Sequence, residues 1–287
     1  MILDVPVFTL VFIRMLVAGV FLTITGKCFK QLQPIAGKDR KWFLLMATME
    51  PFVYFVGETF GMKLTASPSL SAVIVATIPI FGLIGGRVFA HERISYKSAL
   101  GICVTLPGIC MVIFGKWGMS LSPEGGSGGE TMWAGIALLF LAVFSAVAYS
   151  VIVKRIAQTY NAFTVTTYQM SLGALYFLPF VLFFDLPSLP TGGFLLSWNF
   201  WYPILMLAVF CSGFAFILYV NALKVLGVTL TSTFNALIPI ATAAFSFLTG
   251  VETFNGIQVA GIAVVVCGVI MSQLHTPTHS HSLTRRS

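Results

Sequence analysis

Arg14, Glu50 and Glu58 are ionisable residues set inside long apolar runs. Charge at that depth is costly in hydrocarbon, so such groups face a bundle interior or a water-filled cavity. Tyr54 falls midway between the glutamates, and the 50/54/58 spacing puts all three on one helix face. Arg14 is expected to pair with Glu58 or Glu50. Either the pair only fixes helix packing, or one carboxylate contacts a solute or carries a proton.

A second polar group lies further along the chain. Tyr149 and Ser150 come late in one apolar run, and Thr166, Thr167, Tyr168 and Gln169 lie in the next. Asn221 and Asn235 flank a turn at 223–228, with Asn235 four residues before Pro239. Tyr168 and Gln169 either line a cavity and hydrogen-bond an amino-acid or amide-like solute, or join neighbouring helices. Pro79 and Pro239 each remove a backbone hydrogen bond within an apolar run. They act either as static kinks or as hinges that free carbonyls beside a pathway. Glu92 and Glu252 are expected to cap the helices that follow them.

Covalent or metal chemistry has little to work with. The chain holds no HExxH, no Walker-type GKS or GKT and no GxSxG, and its four histidines lie outside the apolar runs. The five cysteines form no CxxC pair and read as small hydrophobes. His275, His279 and His281 in the tail fit either a metal site or a solvated, disordered tail. No catalytic residue, resident metal or cofactor is expected.

Composition dictates the elements that must position these residues. Only 9% of the 287 residues are charged and 57% are hydrophobic. A soluble domain averages about 25% charged residues. A mean hydropathy of +0.95 points the same way. A water-soluble enzyme and a disordered chain are excluded, which leaves an all-α integral membrane protein. Nine apolar segments are marked as helices: 6–26, 42–62, 69–90, 98–115, 133–153, 162–184, 200–222, 229–250 and 256–274. Their continuous apolarity argues against a β-barrel.

Basic residues set the orientation. Placing the 27–41 loop inside puts 13 of the 16 Lys and Arg residues in the cytoplasm, including Arg87, Lys97, Lys154 and Lys224. The C-terminus is then cytoplasmic. The net charge of +7 is therefore topological, and no nucleic-acid partner is implied. The partners implied are a lipid bilayer and a small-molecule solute, with the chain a monomer or homodimer.

The sequence also repeats itself. A shift of 160 aligns 69–112 with 229–272, with identities that include Pro79/Pro239, Glu92/Glu252, Gly101/Gly261 and Gly108/Gly268. A shift of 155 pairs Phe8, Thr9 and Met15 with Phe163, Thr164 and Met170. The paired spans run in opposite directions, so the halves are inverted repeats, an arrangement common in secondary transporters. The span at 133–153 has no partner in the first half. A further helix before residue 1 would supply it and bring the N-terminus inside.

On these residues the chain resembles EamA-type transporters of the drug/metabolite transporter superfamily. The resemblance rests on Pro6, Phe8, Thr9 and Arg14, the ATIPI and ALIPI segments, and Glu92 and Glu252 with their following glycines. Arg14 matches the family pattern, whereas Glu50 and Glu58 are not carried by it. His91 and Val251 depart from it, standing where the family often has Gly. The resemblance implies ten helices in two inverted five-helix repeats. It divides the chain into a first repeat at 1–115 lacking its first helix, an external Gly/Ser-rich linker at 116–132, a second repeat at 133–274 and a cytoplasmic tail at 275–287. It further implies a multi-pass exporter of the bacterial plasma membrane for small metabolites, amino acids or drug-like compounds. A nucleotide-sugar or sugar-phosphate exchanger of the same superfamily is the alternative, although its anionic substrates call for more cavity bases than Arg14. A membrane-embedded enzyme or scaffold is a third reading, against which the repeats and the missing catalytic clusters argue.

Overall fold

The computed structural model describes residues 6–65, 71, 74–92, 95–117, 129–185, 198–237, 241 and 255–273. Among these residues all regular structure is helical. α1 (Val7–Cys28) begins directly after Pro6, a residue suited to a helix start because its missing N–H needs no partner there. α7 (Ala162–Phe180) starts at Asn161, whose side chain accepts from the Thr164 amide at 2.8 Å. The two helices run antiparallel and close together. A Cβ added at Gly19 would lie 3.0 Å from the Ser171 hydroxyl.

Each of these helices has its start held by chain that follows the other. The Thr9 amide and hydroxyl both donate to Asp185 Oδ2, at 2.6 and 2.9 Å, just beyond α7. Beyond α1, the Gln33 amide donates to the Thr164 hydroxyl at 3.0 Å, and the Asn161 side chain donates to the Gln31 carbonyl at 2.7 Å. Thr9 and Thr164 are the residues that the shift of 155 pairs.

The expected span at 42–62 is not one straight helix. α2 (Arg40–Ala47) and α3 (Tyr54–Thr65) are joined through Thr48–Val53, where Glu50 has extended φ/ψ of −141° and 123°. Pro51 follows and cannot donate a backbone bond, so the ladder is interrupted there. α3 lies against α6 (Gly129–Ile156), with Gly57 and Gly61 facing Ala142, Leu139 and Gly135. Small residues on both sides allow this close approach.

α4 (Ile78–Val88) follows a turn in which Thr77 Oγ1 donates to the Ile74 carbonyl at 2.6 Å. Pro79 sits in its first turn, where a proline is tolerated, directly after a turn at Ala76 and Thr77 that separates this helix from helical Ile74 and Val75. α5 (Tyr96–Trp117) packs along α10 (Gly256–Gln273) in antiparallel fashion. A Cβ at Gly101 would lie 2.6 Å from the Gly268 carbonyl oxygen, and one at Gly108 would lie 3.0 Å from that of Gly261. The shift of 160 exchanges these two contacts.

α8 (Trp198–Met206) continues through π-type turns at Leu207–Phe214 into α9 (Ala215–Phe234). α9 bends at Gly227, whose φ of +86° favours glycine. The φ/ψ of Gly227 (+86° and 178°) are not helical, so a break separates the run at 200–222 from the one that starts at 229, within the expected turn at 223–228; residues 238–240 and 242–254, Pro239 among them, lie outside the described residues. Asn235–Leu237 forms a 3₁₀ turn, at the position that the shift of 160 pairs with 75–77.

Among the described residues, four helical stretches are long and apolar enough to cross a membrane: Val7–Cys28, Thr131–Ile156, Ala162–Asp185 and Phe200–Phe234. Three shorter apolar helices are Ile78–Val88, Tyr96–Met111 and Gly256–Ser272. Tyr202, Met206, Phe210, Phe214 and Leu218 form an exposed stripe at four-residue spacing. Such a stripe suits hydrocarbon rather than water. The protein interior instead gathers Phe43, Met46, Tyr149, Val153, Val165 and Leu223 between α2, α6, α7 and α9.

Candidate functional site

The break between α2 and α3 sets the segment that carries Glu50 against α6 and α7, and Tyr54 and Glu58 follow on α3. Tyr54 lies within electrostatic reach of both carboxylates. Glu50 lies within electrostatic reach of Glu58 and of two further tyrosines, Tyr149 on α6 and Tyr219 on α9. These two rings stack with centroids 6.2 Å apart and an interplanar angle of 13°.

Buried amide and hydroxyl groups complete the centre. Tyr149 is fully buried and donates to Gln169 Oε1 at 2.8 Å. Gln169 is buried as well, and its Nε2 has no hydrogen-bond partner among the described residues. Tyr219 shares a 3.0 Å hydrogen bond with Ser150 and is reached by the Asn235 side chain. The centre therefore offers carboxylate oxygens, phenol faces and an uncommitted amide, and no basic side chain among the described residues. Glu50, Tyr54, Glu58 and Tyr219 each keep some accessible surface, as groups lining an internal space do.

Arg14 does not join them. The expected ion pair is absent, because no carboxylate among the described residues lies within salt-bridge distance of its guanidinium. That group instead sits over the Phe55 ring, 5.4 Å from the centroid. Cation–π attraction to the ring face replaces the Coulombic partner. Tyr168 also lies apart, edge-on to Phe43 at 5.6 Å. Asn221, its side chain exposed, is outside the centre.

Tyr219 is the member that the sequence did not mark. It is a lone tyrosine in the apolar run FILYVNAL, and its only signal is a phenol two residues before an asparagine. Among the described residues no group of three His, Cys, Asp or Glu is placed to hold a metal ion. A shallow groove lined by Leu16, Gly19, Val20, Thr23, Ile24 and Ser171 opens on the outer side of α1 and α7. Its mostly apolar lining suits a lipid chain rather than a polar solute.

Comparison with known proteins gives a consistent picture. The sequence profile of the EamA-like transporter family matches residues 1–114 and again 133–274. The uncharacterized transporter YetK of Bacillus subtilis (strain 168) is 24% identical over 274 residues, covering 93% of this chain and 78% of that protein. An uncharacterized transporter of Archaeoglobus fulgidus is 26% identical over 243 residues, covering 82% of this chain and 80% of its own length. A solved crystal structure superposes with a TM-score of 0.76 at 16% identity, over 94% of this chain and 89% of its own. At that identity the likeness concerns the fold alone.

Proposed function

Since the chain belongs to the EamA-like transporter family, we propose that this membrane transporter exports small metabolites, amino acids or drug-like compounds by alternating access between two inverted repeats. The repeats are residues 1–115 and 133–274, joined by a linker at 116–132 and followed by a tail at 275–287. The exchange of contacts between α5 and α10, and between α1 and α7, supports that division. On this reading the chain sits in a bacterial plasma membrane with the Lys- and Arg-rich loops and the C-terminus in the cytoplasm.

One observation carries the mechanism. Glu50 and Glu58 share a tyrosine-lined centre at membrane depth, beside a broken helix, without a basic counterpart among the described residues. Carboxylates placed in this way suit exchange of a proton against a solute. Tyr54, Tyr149, Tyr219 and Gln169 then supply hydrogen bonds and aromatic faces to the solute. An anionic sugar phosphate is poorly served, since Arg14 is turned onto Phe55.

The test is proton-driven transport in liposomes, with a solute found by a resistance or uptake screen. Glu50→Gln and Glu58→Gln are each expected to lower proton-driven flux by at least about tenfold and to flatten its pH dependence. Proton-linked transport left intact when both carboxylates are neutralised overturns the proton role.

A further inference from the structure

Where α9 bends at Gly227, a new helical segment begins inside the bundle. The Val228 and Thr229 amides lose their acceptors one turn back, as at any helix start. A carboxylate from the other half of the chain supplies what is missing. Glu92, in the loop between α4 and α5, accepts from the Val228 amide at 2.5 Å and from the Thr229 amide at 3.0 Å. The same carboxylate takes the Lys154 ammonium of α6 at 2.6 Å. The side chains of Lys154 and Glu92 are only 22% and 12% exposed, so the pair is shielded from water. Glu92 therefore does not cap the helix that follows it. That place goes to Ser95, whose hydroxyl accepts from the Lys97 amide at 3.3 Å.

The backbone around Glu92 is fitted to this arrangement. The Glu92 amide donates to the Gly86 carbonyl at 2.9 Å, and Arg87 donates to the Glu92 carbonyl at 3.3 Å. A Cβ at Gly86 or at Gly227 would collide with the Glu92 carboxylate. Both glycines leave room for that one side chain.

We infer that Glu92, Lys154 and the Gly227 bend form a gating latch, which holds the cytoplasmic end of the transporter shut and must release for that end to open. The inference rests on the transport reading above and on its orientation. Release exchanges these charge-assisted bonds for bonds to water, so the closed state is favoured until something compensates. Solute binding at the Glu50 centre is the compensation that the fold offers.

The latch is not a proton switch. Burial alone would raise the Glu92 carboxyl, but the bonds from Lys154 and the two amides outweigh it and hold the group below the ordinary carboxylate range. Among the described residues, the charged or titratable groups around it are Lys154 on α6, Arg87 on α4 and His91 beside it in the loop. A depressed carboxyl contributes fully above its ordinary value and is lost only as pH falls through the lower one. The latch therefore holds unchanged from pH 8 to pH 6.

The test reads access rather than transport. Val151 lies one turn before Lys154 on α6 and faces Gly85, close behind the latch. In an otherwise cysteine-free full-length chain in membrane vesicles, Val151→Cys reports opening to a membrane-impermeant maleimide. Glu92→Gln and Lys154→Gln are expected to raise labelling from the cytoplasmic side by on the order of tenfold, at pH 8 and pH 6 alike. Labelling from the other side stays unchanged, and Lys154→Arg labels like the parent. Unchanged labelling in both neutral variants overturns the latch, even where solute counterflow is measured and the transport reading survives. One-sided opening without transport of any solute sinks the transport reading instead. Should both neutral variants fail to fold, hydrogen exchange of the unmodified chain decides. Corrected for intrinsic rates, the Val228 and Thr229 amides should exchange faster as pH falls below the ordinary carboxylate value of 4.5. A flat profile overturns the latch.

Discussion

The Tyr149 hydroxyl gives the Gln169 amide its one hydrogen bond among the described residues. Tyr149→Phe would leave that wholly buried amide without a partner, at a cost of about 1–3 kcal/mol. Its thermal unfolding midpoint in detergent should fall by several degrees. Tyr219→Phe should fall less, because Ser150 keeps its 2.9 Å bond to the Ala146 carbonyl. An equal fall in the two variants would sink this account. At this scale the sequence is only partly readable. Glu50 and Glu58 stand out because charge in an apolar run is conspicuous. They lie within electrostatic reach of each other and of Tyr54, although Glu50 sits at a helix break and not on the one helix face that the spacing suggests. Arg14 stands out for the same reason, yet its partner is a ring rather than a carboxylate. Spacing along one helix says which residues share a face, but not which neighbouring helix that face meets. Tyr219 escapes notice because a single phenol in an apolar run has the sequence signature of an ordinary core residue.

Glycines decide how closely the elements pack, and their spacing is plain in the sequence. Gly101 and Gly108 on α5 and Gly261 and Gly268 on α10 read as close-packing positions, and here they pack on one another. A Cβ at Gly268 would lie 2.7 Å from the Thr105 side chain and 2.8 Å from the Gly101 carbonyl oxygen. Gly268→Leu must therefore push the two helices apart, with an expected loss of about 1–3 kcal/mol. The loss is readable as a lower unfolding midpoint and less monodisperse protein. Gly256→Ala is the control, since nothing lies within 4 Å of its added carbon. The breaks are harder to read. Pro51 hints at an interruption, but it is the extended Glu50 that places the carboxylate in the centre. Gly227 looks like any turn glycine, although its bend exposes two amides that a distant glutamate answers.

For the whole molecule, orientation is a matter of charge counting, because lysine and arginine loops resist translocation. A fluorescent protein fused after Ser287 should glow, and alkaline phosphatase fused there should be inactive; the opposite result reverses the orientation and moves the latch to the other face. The proposed repeat is legible in the sequence as two shifts, 155 and 160. What those shifts cannot convey is mechanical. α5 and α10 touch, backbone to backbone, at two places: Gly101 with Gly268, and Gly108 with Gly261. Seven residues separate the places along each helix, about 10 Å. Two rods pinned at two points cannot slide or swivel past each other. They keep one freedom, a roll about the line through the pins. If the halves rock on this seam, their whole travel reduces to a single angle, and every side chain on one half swings along an arc fixed by its distance from that line.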